Sequence, residues 1–354
     1  MKSLILPSLL ALLSASTPAP QADSLAWRPT VGSRVQRSIR GSHTLTAERM
    51  EQSVNGESSM SQRLFDLSTR IRLRVTDELR EVEDGRPSVV RRYYEQTTFS
   101  AETTRSLGRQ QTKDAKFEGV GSVVDTGVVF TWVPEDGNYG RYFDAQEGVE
   151  ESLPGLEADL SLRQLLPKEP VEIGAEWTLT PGVLRFLFTA GGDTDYQLNA
   201  DKGINLLRLM RFGVGMNLEQ VFGGEESGEV KARWLGTEEV DGKRLAMIDL
   251  TFDCVLSRDM KDRAATGMTV DELATGFEME SALVEMALKG GGRVRWDLGA
   301  GRLHDAVDIK ASERVQVMLT LERERGEGEE PETNVQVLVM AGILKQSITC
   351  AAVE

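Results

Sequence analysis

The imidazole chemistry of this 354-residue chain rests on two histidines, His43 and His304. They lie in opposite halves, and no cysteine or acidic residue stands at a spacing that would complete a zinc ligand set. A Ser-His-Asp triad assembles in space, so spacing alone does not exclude one. The G-x-S-x-G elbow is missing, however, and neither histidine has supporting neighbours. His304 directly follows a turn and reads as a surface strand residue. Carboxylates are plentiful, with 56 Asp and Glu residues, and two of them about 5–9 Å apart suffice for glycoside hydrolysis. In so acidic a chain chance pairs abound, so a hydrolase would declare itself only by two acidic groups facing each other across an open cleft.

Two further passages invite a ligand. In "GGDTDYQLNADKG", Asp193, Asp195, Gln197, Asn199 and Asp201 alternate like oxygen ligands. An EF-hand loop needs glycine at its sixth position and glutamate at its twelfth, and Leu198 and Ile204 stand there, so the passage reads as an interhelical loop. "KGGGRVRWDLGAGRLHDAVDI", Lys289 to Ile309, looks at first like a phosphate cradle. A dinucleotide fingerprint needs a third glycine and a following helix whose N-terminus receives the phosphates. Here the third glycine is absent and the alternation resumes around Val315, Val317 and Leu319. The passage is better read as a hairpin: Val294, Trp296 and Leu298 on one face, Gly299-Ala300-Gly301 as the turn, and the triple glycine as a bend. No Gly-Lys-Ser or Gly-Lys-Thr occurs, so a P-loop is absent too. The residues predict no catalytic group, metal or cofactor, and no enzyme.

The bulk properties narrow the partners. A net charge of -15 and a sequence pI near 4.9 repel phosphate backbones, which argues against nucleic acid. The opening "MKSLILPSLLALLSASTPAPQA" has a basic start, a short apolar run and small residues at a cleavage spacing. It reads as a secretory signal peptide over residues 1–16 with a linker over 17–26. The apolar run is shorter than the ~20 residues that span a bilayer, and no later segment qualifies as transmembrane. No cysteine follows it to accept a lipid. The expected location is therefore periplasmic or extracellular. In that compartment Cys254 and Cys350 read either as one disulfide or as two buried free thiols.

These residues must be held by strands. Alternating segments at Leu64 to Val75, Ser88 to Ser100, Ser122 to Val133, Arg141 to Glu147, Glu229 to Thr237, Arg244 to Leu256, Glu278 to Leu288, Arg293 to Leu298, Arg302 to Lys310, Arg314 to Glu322 and Asn334 to Cys350 predict an antiparallel meander. Asp84-Gly85, Asp136-Gly137 and Asp241-Gly242 supply its turns. The fold class is mainly antiparallel β with inserted helices, a curved sheet or half-barrel, with a first β half over 27–165 and a second over 166–354. Short matches in preserved order between the halves raise an internal duplication, which would make Trp132 and Trp296 equivalent. A helical insertion at about 181–224 breaks the pattern, and a short helix is read near "TVDELA". Phe186, Phe188, Leu206, Leu209, Met210, Phe212 and Met216 from that insertion, with Trp132 and Trp296, are either a core plug or a lid over a hydrophobic cavity.

"LPKEPVEIGAEWTL" and the late glycine-rich hairpin resemble a family of secreted bacterial proteins of unknown function, in which a Pro-x-x-x-Gly-x-x-Trp motif precedes such a hairpin. The arrangement as a whole loosely resembles the periplasmic lipoprotein carriers with their open β-barrel. These resemblances imply a fold and a compartment, and no activity. The functional expectation is an envelope protein that binds a lipid or an acylated protein in the concave face of its sheet. The alternative is a structural module that docks an envelope protein partner on exposed strand edges.

Overall fold

The computed structural model describes residues 25–60, 64–107, 110–144, 148–189, 191–192, 194, 196–198, 221–262, 278–323 and 330–353. Fourteen strands account for most of them: β1 (Arg34–Val54), β2 (Glu57–Met60), β3 (Leu64–Glu83), β4 (Arg86–Leu107), β5 (Gln110–Gly121), β6 (Gly127–Val133), β7 (Asn138–Phe143), β8 (Glu176–Leu179), β9 (Tyr196–Leu198), β10 (Glu225–Val240), β11 (Lys243–Asp259), β12 (Glu278–Asp297), β13 (Arg302–Arg323) and β14 (Glu332–Val353). They form one antiparallel sheet in the order β7-β6-β4-β3-β1-β14-β13-β12-β11-β10-β8, with β2 on β1 and with β5 joining β4 to β9. The two halves thus share a single sheet, seamed where β1 meets β14 from Arg34↔Val353 to Val54↔Asn334.

Period-two alternation builds these strands. In β13, Val307, Ile309, Ala311, Val315 and Val317 are buried while Asp308, Lys310, Arg314 and Gln316 are exposed. The hairpins turn where the chemistry allows: Asp84 and Gly85 have φ of 48° and 69°, Asp241 and Gly242 of 50° and 72°. Two successive positive φ angles match the right-handed twist of the flanking strands.

Two expectations need correction. The triple glycine is no bend between strands, because β12 runs unbroken through Gly290, Gly291 and Gly292, and β13 likewise runs through residues 310–314. A Cβ on any of the three glycines would overlap a carbonyl oxygen of a neighbouring strand, those of Lys310, Leu250 and Asp308. The glycines let adjacent strands close up without ending the strand. The alternating segments also omit β1 and β5. On β1 the inward positions are Ile39, Gly41, His43, Leu45 and Ala47, so a glycine and a histidine interrupt the apolar signal.

The sheet must be curled. β4 and β11 stand six places apart in strand order, roughly 29 Å across a flat sheet. Yet the described residues between 150 and 198 touch both. Arg92 on β4 donates to the Ala158 carbonyl at 3.0 Å, and Phe188 meets Phe252 on β11 edge to face at 5.8 Å. A single apolar cluster joins both sides to Leu156, Leu160, Leu162, Leu165, Leu184 and Leu187. The insertion at 181–224 reads as two helices, roughly 181–190 and 203–222, and the first is present as α1 (Val183–Phe188), with Val183, Leu184, Leu187 and Phe188 buried. The expected second helix, the short helix at "TVDELA", the Asp193 to Asp201 ligand set and the signal peptide lie wholly or mostly outside the described residues.

Candidate functional site

At the end of the curl where β1 begins, residues 25–33 cross from the β12–β13 turn to β3. Arg28 N donates to Gly301 O at 2.9 Å and Gly32 N to Leu79 O at 2.7 Å. The Trp296 indole donates to Ala26 O at 3.2 Å. Beneath this crossing lies a cavity of about 340 Å³. Trp27, Leu79, Pro87, Val90, Leu160 and Leu303 line it, together with the charged groups of Arg28, Arg37, Asp77, Asp159 and Arg302 and the Cys350 thiol. Its size falls at the lower end of small-molecule sites.

The polar groups at this end are organised around Arg92, which is completely buried. Its Nε donates to Asp77 Oδ1 at 2.6 Å and its Nη2 to Asp77 Oδ2 at 3.1 Å. The Glu157 and Ala158 carbonyls take further bonds, and Arg37 pairs with the same aspartate. The guanidinium also stands over the Phe130 ring at 5.1 Å. Burial alone would push its pKa down; the Asp77 carboxylate more than offsets this and holds it above the usual arginine value. Arg141 adds a bond to Leu156 O at 2.9 Å, so two arginines tie the inner segment, the described residues between 150 and 198, to the wall. Beside the cavity, Tyr139 donates its hydroxyl to Pro87 O at 2.6 Å. Burial, with the nearby Asp159 carboxylate, pushes that phenol up to about 12.

The sequence-predicted residues separate. Trp296 is fully buried on the inner face, and Phe188 is buried against Phe252. Phe186 is half-buried at the edge of the core. Trp132 stands apart on the β6–β7 hairpin, half-buried, with Tyr139 edge-on at 5.1 Å and the Arg86 guanidinium 4.4 Å from its ring. The two tryptophans therefore occupy different environments. Leu206, Leu209, Met210, Phe212 and Met216 lie outside the described residues.

Of the two readings for the cysteines, the structure has the free thiols. Cys254 and Cys350 are free thiols, on β11 and β14 with β12 and β13 between them. By register Cys254 is level with Gly342 of β14, which puts Cys350 about 26 Å further along that strand, where a bridge needs Cα atoms within about 7 Å. Burial pushes both thiol pKa values up.

One buried pair carries no motif that would mark it in the sequence. His43 on β1 lies against Glu313 on β13, both nearly inaccessible, across Gly342 of β14. Glu313 Oε1 has no hydrogen-bond partner among the described residues. Parity was the available signal: Glu313 falls in phase with Ala311 and Val315, and His43 with Ile39 and Leu45. Arg92 likewise falls in phase with Val90 and Tyr94. Among the described residues no three His, Cys, Asp or Glu side chains converge to hold a metal ion.

No protein-family model and no curated protein matches the chain. Among solved structures it is similar to the outer membrane protein OprG from Pseudomonas aeruginosa, at 9% identity over 89% of this chain and 97% of that one, with a TM-score of 0.16. It is also similar to the InvG secretin domain β-barrel of the Salmonella SPI-1 injectisome, at 5% identity over 91% of this chain and 63% of that one, again at 0.16. Superpositions this poor carry no argument about fold or role.

Proposed function

We propose that this chain is an exported, non-enzymatic protein of the cell envelope that holds a hydrophobic group, a lipid or the acyl chain of a partner protein, in the end cavity of its half-barrel. The observation that carries the reading is the space of about 340 Å³ beneath residues 25–33, with Trp27, Val90, Leu160 and Leu303 among its walls. Elsewhere on the inward face side chains such as Leu45, Leu67, Val315 and Leu344 are buried, so binding is assigned to the end and not to the whole concavity. Working in water is supported by the outward face, where Arg40, Arg72, Lys310 and Lys345 are exposed. A membrane-spanning barrel turns an apolar band outward.

Native mass spectrometry of protein purified from its own compartment, with displacement of a fluorescent fatty acid, tests the proposal. A 1:1 adduct is expected, weakened by Val90→Trp or Leu160→Trp, which fill the cavity. Absence of co-purified lipid together with failure to displace the probe would discard it. The packed interior favours a second reading, a structural module whose short end strands β7 and β8 dock an envelope protein. That reading predicts a stoichiometric protein partner in a pull-down and no lipid.

A further inference from the structure

The outward face of the four central strands carries a feature that the net charge hides. Along one rung the register runs Arg72, Arg40, Ser347, Asp308; along the next it runs Arg70, Ser42, Lys345, Lys310. Arg40 thus stands directly opposite Arg72, and Lys345 directly opposite Lys310. Like charges placed so are destabilising. All five cations are exposed and line a groove of about 480 Å³ whose wall includes Gly291. Among the described residues none of the five forms an ion pair, although their neighbours do: Arg74 with Glu95, Arg293 with Asp249, Lys289 with Asp253. A chain with 56 acidic and 41 basic residues could have neutralised this patch easily. It places a single carboxylate there, Asp308.

From this juxtaposition we infer that the groove is a binding site for a small, soluble anion carrying two or more phosphate groups. The two like-charge pairs lie roughly 12 Å apart at the backbone, two strands across and one rung along. Long side chains from both can close on a ligand spanning that interval, each pair taking one phosphate. Arginine forks suit phosphate oxygens, and the Ser42 and Ser347 hydroxyls between them can donate further bonds. The overall charge of -15 selects the ligand's size. A compact polyanion meets only the local cations, whereas an anionic bilayer or a long nucleic acid also meets the acidic remainder within a few Debye lengths.

Tripolyphosphate titrated into the full chain by calorimetry is the test. One-to-one binding is expected, weakening as salt rises, and reduced about tenfold or more by Arg40→Ala with Lys345→Ala, since hydrogen bonds to charged groups are the strong ones. Lys289→Ala with Arg293→Ala, a change to cations that already have partners, should leave affinity within about twofold. Far-UV circular dichroism verifies the fold of each variant. The inference is overturned by absence of binding, by equal loss in both double variants, or by sedimentation with phosphatidylglycerol vesicles that exceeds the response to tripolyphosphate. It stands independently of the end cavity, which lies on the opposite face.

Discussion

Arginines are used in two opposite ways on the two faces of this sheet. Arg92 faces inward, is fully buried, and finds Asp77 in a two-point pair plus the carbonyls of Glu157 and Ala158. Arg40 and Arg72 face outward, opposite each other, with no acidic partner among the described residues. Burial forces the first arrangement, because an uncompensated charge in a low dielectric costs far more than a hydrogen bond returns. Nothing forces the second. A paired buried charge is therefore explained by folding alone, whereas an unpaired exposed cluster on an acidic protein calls for a ligand.

The contrast breaks first at Arg92. Arg92→Ala leaves Asp77 with Arg37 alone and frees two carbonyls of the inner segment, so a loss of up to about 5 kcal/mol is expected in urea unfolding. Arg92→Lys should recover only part of it, since a single ammonium cannot reproduce the planar fork. Full stability in either variant would mean that the inner segment is held by its leucines and that the arginine is incidental.

Glu313 comes next. Glu313→Ala strands His43 in the core and should cost about 3 kcal/mol, whereas His43→Leu with Glu313→Leu replaces the pair by apolar volume and should cost little or even stabilise. A double variant as damaged as the single one would show that the pair acts through more than burial.

Glu95 is a milder case between the two faces. Burial works to raise its pKa, but hydrogen bonds from Thr76 and Gln36 and the charge of Arg74 outweigh it, and the net direction is down. A depressed carboxylate contributes stability that is present above its unfolded value of about 4.5 and is lost as pH falls through the folded value. Glu95→Gln should therefore destabilise by about 1 kcal/mol or less at neutral pH, and the difference from wild type should shrink on acidification below about pH 4. A difference that grows on acidification would mean that the folded protein holds the carboxyl in its protonated form instead.

The strands were legible because alternation is a local property: Arg244 to Leu256 and Asn334 to Cys350 announce β11 and β14 from their own residues. The curl was less so, since it depends on where residues near 158 and 188 land on strands far away in sequence. Gly290 to Gly292 look like a break when read alone. They become intelligible only with the carbonyls of Lys310 and Leu250 beside them. The end cavity and the outer groove share that difficulty. Residues 40, 70, 72, 310 and 345 carry no motif between them, and the net charge of -15 averages the cluster away. Parity along β1 and β13 was the signal left unused. It separates His43 and Glu313 from Arg40 and Lys310 by position along the strand alone.

The smallest expected effect is also the one that separates the two uses of arginine most cleanly. Arg72→Ser removes one member of a like-charge cross-strand pair, so the protein should become more stable by a few tenths of a kcal/mol, within the range of about 0.2–1 for such pairs. Added salt should shrink that gain, because it screens the repulsion in the wild type. In saturating tripolyphosphate the order should invert, since a ligand stabilises the folded state in proportion to its affinity and the wild type binds more tightly. Thermal unfolding of both proteins, with and without tripolyphosphate at low salt, reads the sign directly. If Arg72→Ser is less stable in both conditions, the outward arginines serve the fold as Arg92 does, and the distinction between the two faces collapses.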